Sequence, residues 1–580
     1  MTDRQTDRQT DRQTGYPSID KPWLKYYSEE AINAKLPECT IFEYMYENNK
    51  NYPKDIAINY MGRKITYGEL FENIDKTAAA FLKAGVKEKE IVTVALPSIP
   101  EALYCVYALN KIGAVANMIH PLAGTEETLY YFNEVNGRIA VIFDGAFDAI
   151  SSDIAKSTVE KVIVVSPGDS LPLHLKAAYN LKVKKPKLDG KVFQSWKNFI
   201  KEGIGTEVRE VKKDCHEMAI ISHTGGTTGT PKGVMLSDYN TNALCYQLVC
   251  AFEYERQGRC LSVLPPFVNY SLVDSMLAML DIGYTVIMLP KYEQNKLLKY
   301  IKDYKPNIIL SIPAYWEVLV NGTDNIHVDM SCLEQIYYGG EGMSEEAEQK
   351  IGDILRQNNS KTVLCKGFGS TELTAAATQS YPSCNPIGSV GLPLVKTNCK
   401  IVNPDSYEEL SYFERGEICF NGPTLMEGYY NNQSATDDVI KIHKDGERWL
   451  HTGDIGYINE DGVVFVTGRI KRIIMTKGED GQVTKMFPDR IEKAIDTDPN
   501  VELSCVIGVP HKIRINYPKA FVVLKDGIPQ SEETKQSILN SCKSALPEYM
   551  VPDEIVFRTD LPRTSRGKVD YRALETEYSK

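Results

Sequence analysis

The segment His223-Thr-Gly-Gly-Thr-Thr-Gly-Thr-Pro-Lys-Gly-Val234 gathers residue types that handle phosphate. Gly225, Gly226 and Gly229 let a backbone fold so that its N–H groups converge on an anion. Thr227 and Thr228 add hydroxyl donors, and Lys232 adds a point charge suited to phosphate. This is not a Walker A loop, because Lys232 follows Pro231 and precedes Gly233, without the Gly-Lys-Ser/Thr helix start. Turns use the same residues, so glycine alone says little. The length, the interleaved threonines and the Pro-Lys-Gly end make this loop more specific. Further candidates stand downstream at Gly367-Phe-Gly-Ser-Thr-Glu-Leu373, His451-Thr-Gly-Asp454, Gly468-Arg469 and Pro562-Arg-Thr-Ser-Arg-Gly-Lys568. Taken singly, each has a plainer reading as a turn, a helix-start charge or a basic loop.

Such residues need a frame, and the chain supplies one. Apolar strand-like runs at Ile91–Leu96, Ala114–Ile119, Ile139–Phe143, Val159–Val165 and Met218–Ser222 alternate with helical stretches such as Ala102–Lys111. The pattern returns at Thr285–Leu289, Asn307–Ile312, Gln335–Tyr338 and Thr362–Cys365. Buried strands separated by helices predict layered α/β subdomains with much parallel sheet, and functional loops where strands end. From about Ile387 short strands and glycine turns predict a small β subdomain. The last stretch predicts a small α+β domain, with a helix over Phe487–Ile495, strands at Val501–Val509 and Ala520–Leu524, and a helix over Glu532–Leu546.

In order and spacing these segments resemble the blocks of the adenylate-forming superfamily, which includes acyl-CoA synthetases, aryl-CoA ligases, luciferases and peptide-synthetase adenylation domains. The resemblance covers nearly everything after the first 15 residues, although Gly225 stands where the family usually has Ser. It implies that Thr224 to Gly229 and Lys232 hold the pyrophosphate. It also implies that Phe368 lies against adenine, Thr371 on the α-phosphate and Glu372 on Mg²⁺. Gly339-Gly340-Glu341-Gly342 matches a segment lining the adenine and acyl pockets. Gly416-Glu-Ile and Gly422-Pro lead to Gly428-Tyr429, another family block. Asp454 and Arg469 match the ribose contacts, Lys471 the hinge and Lys568 the catalytic lysine. Val268, Asn269, Tyr270, Asp274, Gly339 and Gly367 match positions around the acyl group.

The activity implied is ATP-dependent conversion of a fatty or aromatic acid to an acyl-adenylate, then transfer to coenzyme A. Loading of a carrier protein is the alternative acceptor, although no carrier domain follows Lys580; a luciferase-type oxygenase and a degenerate nucleotide binder stay open. The implied domains are an ATP- and acyl-binding body over 16–470 and a mobile catalytic-lysine domain over 471–580. Two features depart from the family. Glu479 to Phe487 forms a longer loop before Pro488, and Val268 replaces a frequent His. Tyr270 stands where amino-acid-activating domains carry Asp, which disfavours an α-amino acid substrate. Asp274, four residues on, either meets a polar group of the substrate or turns to solvent or a helix cap.

Composition fits this reading. With 66 Lys+Arg against 77 Asp+Glu the net charge is −11, which argues against a dedicated nucleic-acid binder. The 13 cysteines include no CxxC pair and predict scattered buried thiols in a cytoplasmic protein, without zinc. No apolar run is long enough to span a membrane, and no signal peptide is present. The threefold Thr-Asp-Arg-Gln repeat over 1–15 predicts a disordered tail. Lys176, Lys182, Lys184, Lys185, Lys187 and Lys191 face only Asp189, which predicts either a solvated loop or a patch for anionic lipid or an acidic partner.

Overall fold

Short β-branched runs become the strands of two mixed sheets, one of eight and one of nine strands. In the computed structural model, residues 14–183, 186–224, 231–250, 254–321, 327–477, 483–563 and 569–578 are described. The eight-stranded sheet runs parallel from Met218–His223 through Val115–Met118, Ile91–Ala95, Ile139–Phe143 and Lys161–Val165 to Phe193–Ser195. Antiparallel Gly233–Ser237 and then Gly428–Tyr429 extend its other side. The nine-stranded sheet is parallel from Leu364–Gly369 through Gln335–Tyr338, Ile308–Ser311, Arg259–Ser262 and Thr285–Met288 to Ile56–Tyr60, with antiparallel strands at both ends.

The largest core cluster joins residues of both sheets to the helices Tyr67–Lys83, Pro100–Lys111 and Asp238–Val249. The Pro100–Lys111 helix is buried from Pro100 to Asn110. A helix with no solvent face must lie inside a layered structure, and this one supplies the apolar filling there. Its starting Pro100 needs no N–H partner, since the first helical N–H groups have none within the helix.

A five-stranded sheet of Asn398–Val402, Gly416–Asn421, Arg448–Ile458, Ile440–Ile442 and Val464–Arg469 forms the small β unit. The C-terminal unit holds a three-stranded sheet of Val501–His511, Ile515–Leu524 and Glu554–Arg558, covered by helices Pro488–Asp496, Glu532–Ala545 and Tyr571–Tyr578. In the Glu532–Ala545 helix Ile538 and Cys542 are buried, one turn apart, with Leu539 and Leu546 packed beside them.

One local expectation needs revision. The stretch expected as a longer loop before Pro488 contains a strand, Val483–Met486, paired antiparallel with Ile474–Lys477. Cross-strand hydrogen bonding overrides the loop-like composition there, while residues 478–482 lie outside the described residues. The apolar window from Leu261 folds as strand, π-helix Tyr270–Leu277 and strand. Of the repeat tail, residues 1–13 lie outside the described residues, and Thr14 donates to Asp20 Oδ1 at 2.8 Å. Ten of the thirteen cysteines are buried and none is disulfide-bonded. No helix among the described residues is long and apolar enough to cross a membrane.

Candidate active site

The glycine-rich loop closes an antiparallel hairpin between Met218–His223 and Gly233–Ser237, with His223 paired to Gly233. At its base the Thr224 N–H donates to the Lys232 carbonyl at 3.0 Å. Gly225, Gly226, Thr227, Thr228 and Gly229 lie outside the described residues. Lys232 Nζ stands 4.7 Å from the centre of the Tyr429 ring, a favourable position over a π face. It lines a cavity of about 480 Å³ with Tyr130, Glu134, Pro231, Tyr430, Asn431 and Asn432. Burial pushes the Glu134 carboxyl up, and Tyr130 donates to it at 3.2 Å.

On the nine-stranded sheet, Leu364–Gly369 leads into the short 3-10 turn Thr371–Leu373. Glycine is required at 369, since a Cβ there would lie 1.7 Å from the Ala375 carbonyl oxygen. The Tyr429 hydroxyl donates to Glu372 Oε1 at 2.7 Å. Burial and then the Glu372 carboxylate push the Tyr429 phenol up, so it keeps its proton and stays a donor. One tyrosine thus touches both the lysine of one strand end and the carboxylate of another. Sequence reasoning missed it, although Gly428-Tyr429 was visible as a family block without a residue role. Phe368 stacks on Phe420 with centroids 6.0 Å apart and planes at 27°.

The pair matched to ribose contacts meets directly. Asp454 and Arg469 face each other across neighbouring strands, with Arg469 Nε 2.8 Å from Asp454 Oδ1. Glu417, also unassigned from sequence, shapes the turn before Asp454. Its Oε1 accepts from the Gly453 N–H at 2.9 Å, and its Oε2 lies 2.7 Å from His451 Nδ1. On the other ring nitrogen His451 meets His443 at 2.9 Å. Burial, then Lys400 and His451, push the His443 imidazole down to about 4.

The positions matched to an acyl pocket form a second group. A Cβ on Gly339 would meet the Gly367 carbonyl oxygen at 3.2 Å and the Tyr270 ring at 3.6 Å, so these three residues touch. Gly340 takes φ +83 at the exposed turn that continues to Glu341. Asn269 is buried and its amide is engaged at both ends. Its Oδ1 accepts from Ser222 Oγ at 2.5 Å, and its Nδ2 donates to the Thr374 carbonyl at 2.7 Å. It therefore ties the phosphate-loop strand to the Thr371 turn. Val268 is partly buried; the imidazole beside Phe267 is that of His120, at 4.4 Å between ring centroids.

Asp274 neither turns to solvent nor caps a helix, which removes the plainer of its two readings. It is fully buried within the Tyr270–Leu277 π-helix, and neither carboxyl oxygen has a hydrogen-bond partner. Burial pushes its carboxyl well above the usual carboxylate range, which favours the neutral, protonated form. A neutral carboxyl offers one O–H donor and an acceptor.

Just after the strand Val464–Arg469, Arg472 bonds Asp489 at 2.7 Å and Glu492 at 2.5 Å, both on the Pro488–Asp496 helix. Arg469 remains paired to Asp454, so only Ile470 and Lys471 separate the two anchors. Lys568 and the Lys471 side chain lie outside the described residues.

A family profile described as AMP-binding enzyme matches residues 45–430, and one described as AMP-binding enzyme C-terminal domain matches 490–568. A long-chain-fatty-acid–CoA ligase of Bacillus subtilis (strain 168) is 29% identical over 96% of this chain and 98% of its own length. A probable 4-coumarate–CoA ligase 1 of Dictyostelium discoideum is 28% identical over 94% and 96%. The crystal structure of ATP-bound MatB from Rhodopseudomonas palustris superposes with a TM-score of 0.80 at 22% identity, covering 94% of this chain and 99% of that one.

Proposed function

The chain belongs to the AMP-binding enzyme family, and on that premise we propose that it joins a carboxylic acid to coenzyme A through an acyl-adenylate. The observation that carries this reading is the meeting of Lys232 and Glu372 on Tyr429. A cation and a carboxylate brought together at two strand ends suit a nucleotide's phosphates and their counter-ion. Relatives matched over nearly their full length are named for CoA ligation, which supports coenzyme A as the thiol.

In the first step a substrate carboxylate oxygen attacks the α-phosphorus of ATP, and the bond to the β-phosphate breaks. Lys232 and the loop over 224–229 hold the charge of the leaving pyrophosphate. Thr371 bonds the α-phosphate, Asp454 and Arg469 hold the ribose, and Phe368 lies along adenine. Lys568 bridges carboxylate and phosphate oxygens as charge develops. In the second step the thiol sulfur attacks the acyl carbonyl, AMP leaves, and the thiol proton passes to solvent. Catalysis in both is mainly positioning and charge stabilisation. Glu372 fits Mg²⁺, which takes one or two carboxylates and completes its shell with water and phosphate oxygens. Bound there, Mg²⁺ would supply charge neutralisation at the phosphates.

The acid itself carries a polar group. Asp274 has two buried, unpartnered oxygens at a position matched to the acyl pocket, and an unsatisfied buried carboxyl is costly until something bonds it. A substrate hydroxyl or carbonyl suits its neutral form.

The test is pyrophosphate release across a panel of carboxylic acids, with and without coenzyme A. Acid-dependent release and a CoA-dependent thioester are expected. No acid-dependent AMP or pyrophosphate formation would overturn the ligase reading, whereas thioester formation only on a carrier protein would overturn coenzyme A alone. In Asp274→Ala the preference for hydroxylated over plain acids falls about tenfold, the value of one hydrogen bond. An unchanged ratio removes the substrate contact.

A further inference from the structure

The helix Leu173–Lys182 follows strand Lys161–Val165 on the eight-stranded sheet and precedes the edge strand Phe193–Ser195. It has no buried residue along its whole length. Only Leu175 and Tyr179, one turn apart, pack on the core, and Lys176 Nζ donates to the Asp169 carbonyl on that side. The opposite face is apolar too. Leu173, Ala177 and Leu181 fall at i, i+4 and i+8, which aligns them along one outward stripe. Leu173 is 87% and Leu181 89% exposed. A surface helix with a second apolar stripe in water has no use for it in the isolated fold.

Cations crowd the sequence around that stripe. Residues 173–191 contain six lysines and one aspartate, a local charge of +5 in a chain of net −11. Lys182, Lys187 and Lys191 are exposed. Arginine does not occur in this stretch. Recognition of phosphorylated or acidic protein motifs favours the bidentate fork of arginine, whereas attraction to a charged lipid surface needs only point charge on a long apolar stem. Leucines of one stripe beside lysines are the arrangement of a helix that lies in a membrane interface. Shallow insertion asks for no shaped partner.

We propose that the Leu173–Lys182 helix and the lysines after it dock this protein reversibly on an anionic lipid surface. Leu173 and Leu181 enter the acyl boundary, and Lys182, Lys187 and Lys191 lie among the headgroups. The helix sits on a different sheet edge from the ligase site, so docking and activity are separable.

The test is co-sedimentation of the full-length protein with phosphatidylcholine vesicles, with and without phosphatidylserine, at low and high salt. Binding is expected only with phosphatidylserine and falls with salt. Each of Lys182→Gln, Lys187→Gln and Lys191→Gln weakens it about fivefold, the share of one lysine near a charged bilayer. Leu173→Ser with Leu181→Ser weakens it at least about tenfold through lost apolar burial. Pyrophosphate release with a water-soluble acid stays unchanged in all of these variants, which shows that they fold. Absence of phosphatidylserine-dependent binding overturns the proposal. So does undiminished vesicle binding of the leucine variant, which removes insertion of the helix, or a preference for heparin, which marks a surface for acidic macromolecules instead.

Discussion

Tyr429 carries more of the site than its plain neighbours in sequence suggest. Its hydroxyl orients Glu372 while its ring lies beneath Lys232. Phenylalanine keeps the ring and removes the hydrogen bond to a charged acceptor, worth about 1.5–3 kcal/mol. Tyr429→Phe should therefore lower kcat for ATP–pyrophosphate exchange by roughly tenfold to a hundredfold, a loss that excess Mg²⁺ partly restores, with little change in Tm. Unchanged exchange at limiting Mg²⁺ would remove the orienting role. Lys232, Glu372 and Asp454 stand out as candidates in sequence because each sits in a compact motif. Tyr429 does not, since its partner lies 57 residues away. Glu417 was hidden for the same reason: its hydrogen bonds shape a turn 36 residues further on. Long-range side-chain bonds leave no local pattern to read.

At the scale of elements, parallel strands such as Ile139–Phe143 and Gln335–Tyr338 were legible to the residue because burial on both faces leaves continuous apolar runs. The π-helix was not, since its apolar spacing reads equally as an α-helix. It matters because it holds Asp274 away from water. The folded-state pKa of this carboxyl is raised above its unfolded value, so folding takes up a proton. That contribution is fully present below about pH 4, near the unfolded value, and is lost as pH rises toward the folded pKa. In that window wild-type stability should fall relative to Asp274→Asn, by up to about 1.4 kcal/mol for each pH unit. Urea unfolding of both proteins at several pH values reads the difference. Parallel curves would mean that Asp274 is ionised or partnered in the folded protein.

For the whole molecule, the proposed reaction asks one chain to serve two steps, and the ion pairs on either side of Ile470 and Lys471 bear on where it would turn. Arg469 is held to Asp454 in the β unit, and Arg472 to Asp489 and Glu492 in the C-terminal unit. Sequence alone marks Lys471 only through resemblance; the carboxylates of Asp489 and Glu492 around Arg472 tie that residue to the C-terminal unit. The anchor is strong, because burial of the guanidinium is offset by two carboxylates and leaves it fully charged. We propose that the C-terminal unit turns about 470 and 471, since turning elsewhere would break an ion pair. Proline fixes φ near −65° and restricts the residue before it. Lys471→Pro should then trap one orientation. ATP–pyrophosphate exchange and thioester formation from supplied acyl-adenylate should separate, one retained within about tenfold and the other reduced at least about a hundredfold, as expected when one conformational state is removed. Lys568→Ala gives the contrasting pattern without touching the hinge: exchange is lost while thioester formation from supplied acyl-adenylate persists. Equal loss of both half-reactions in Lys471→Pro, with its Tm preserved, would show that the two steps use a single arrangement of the units.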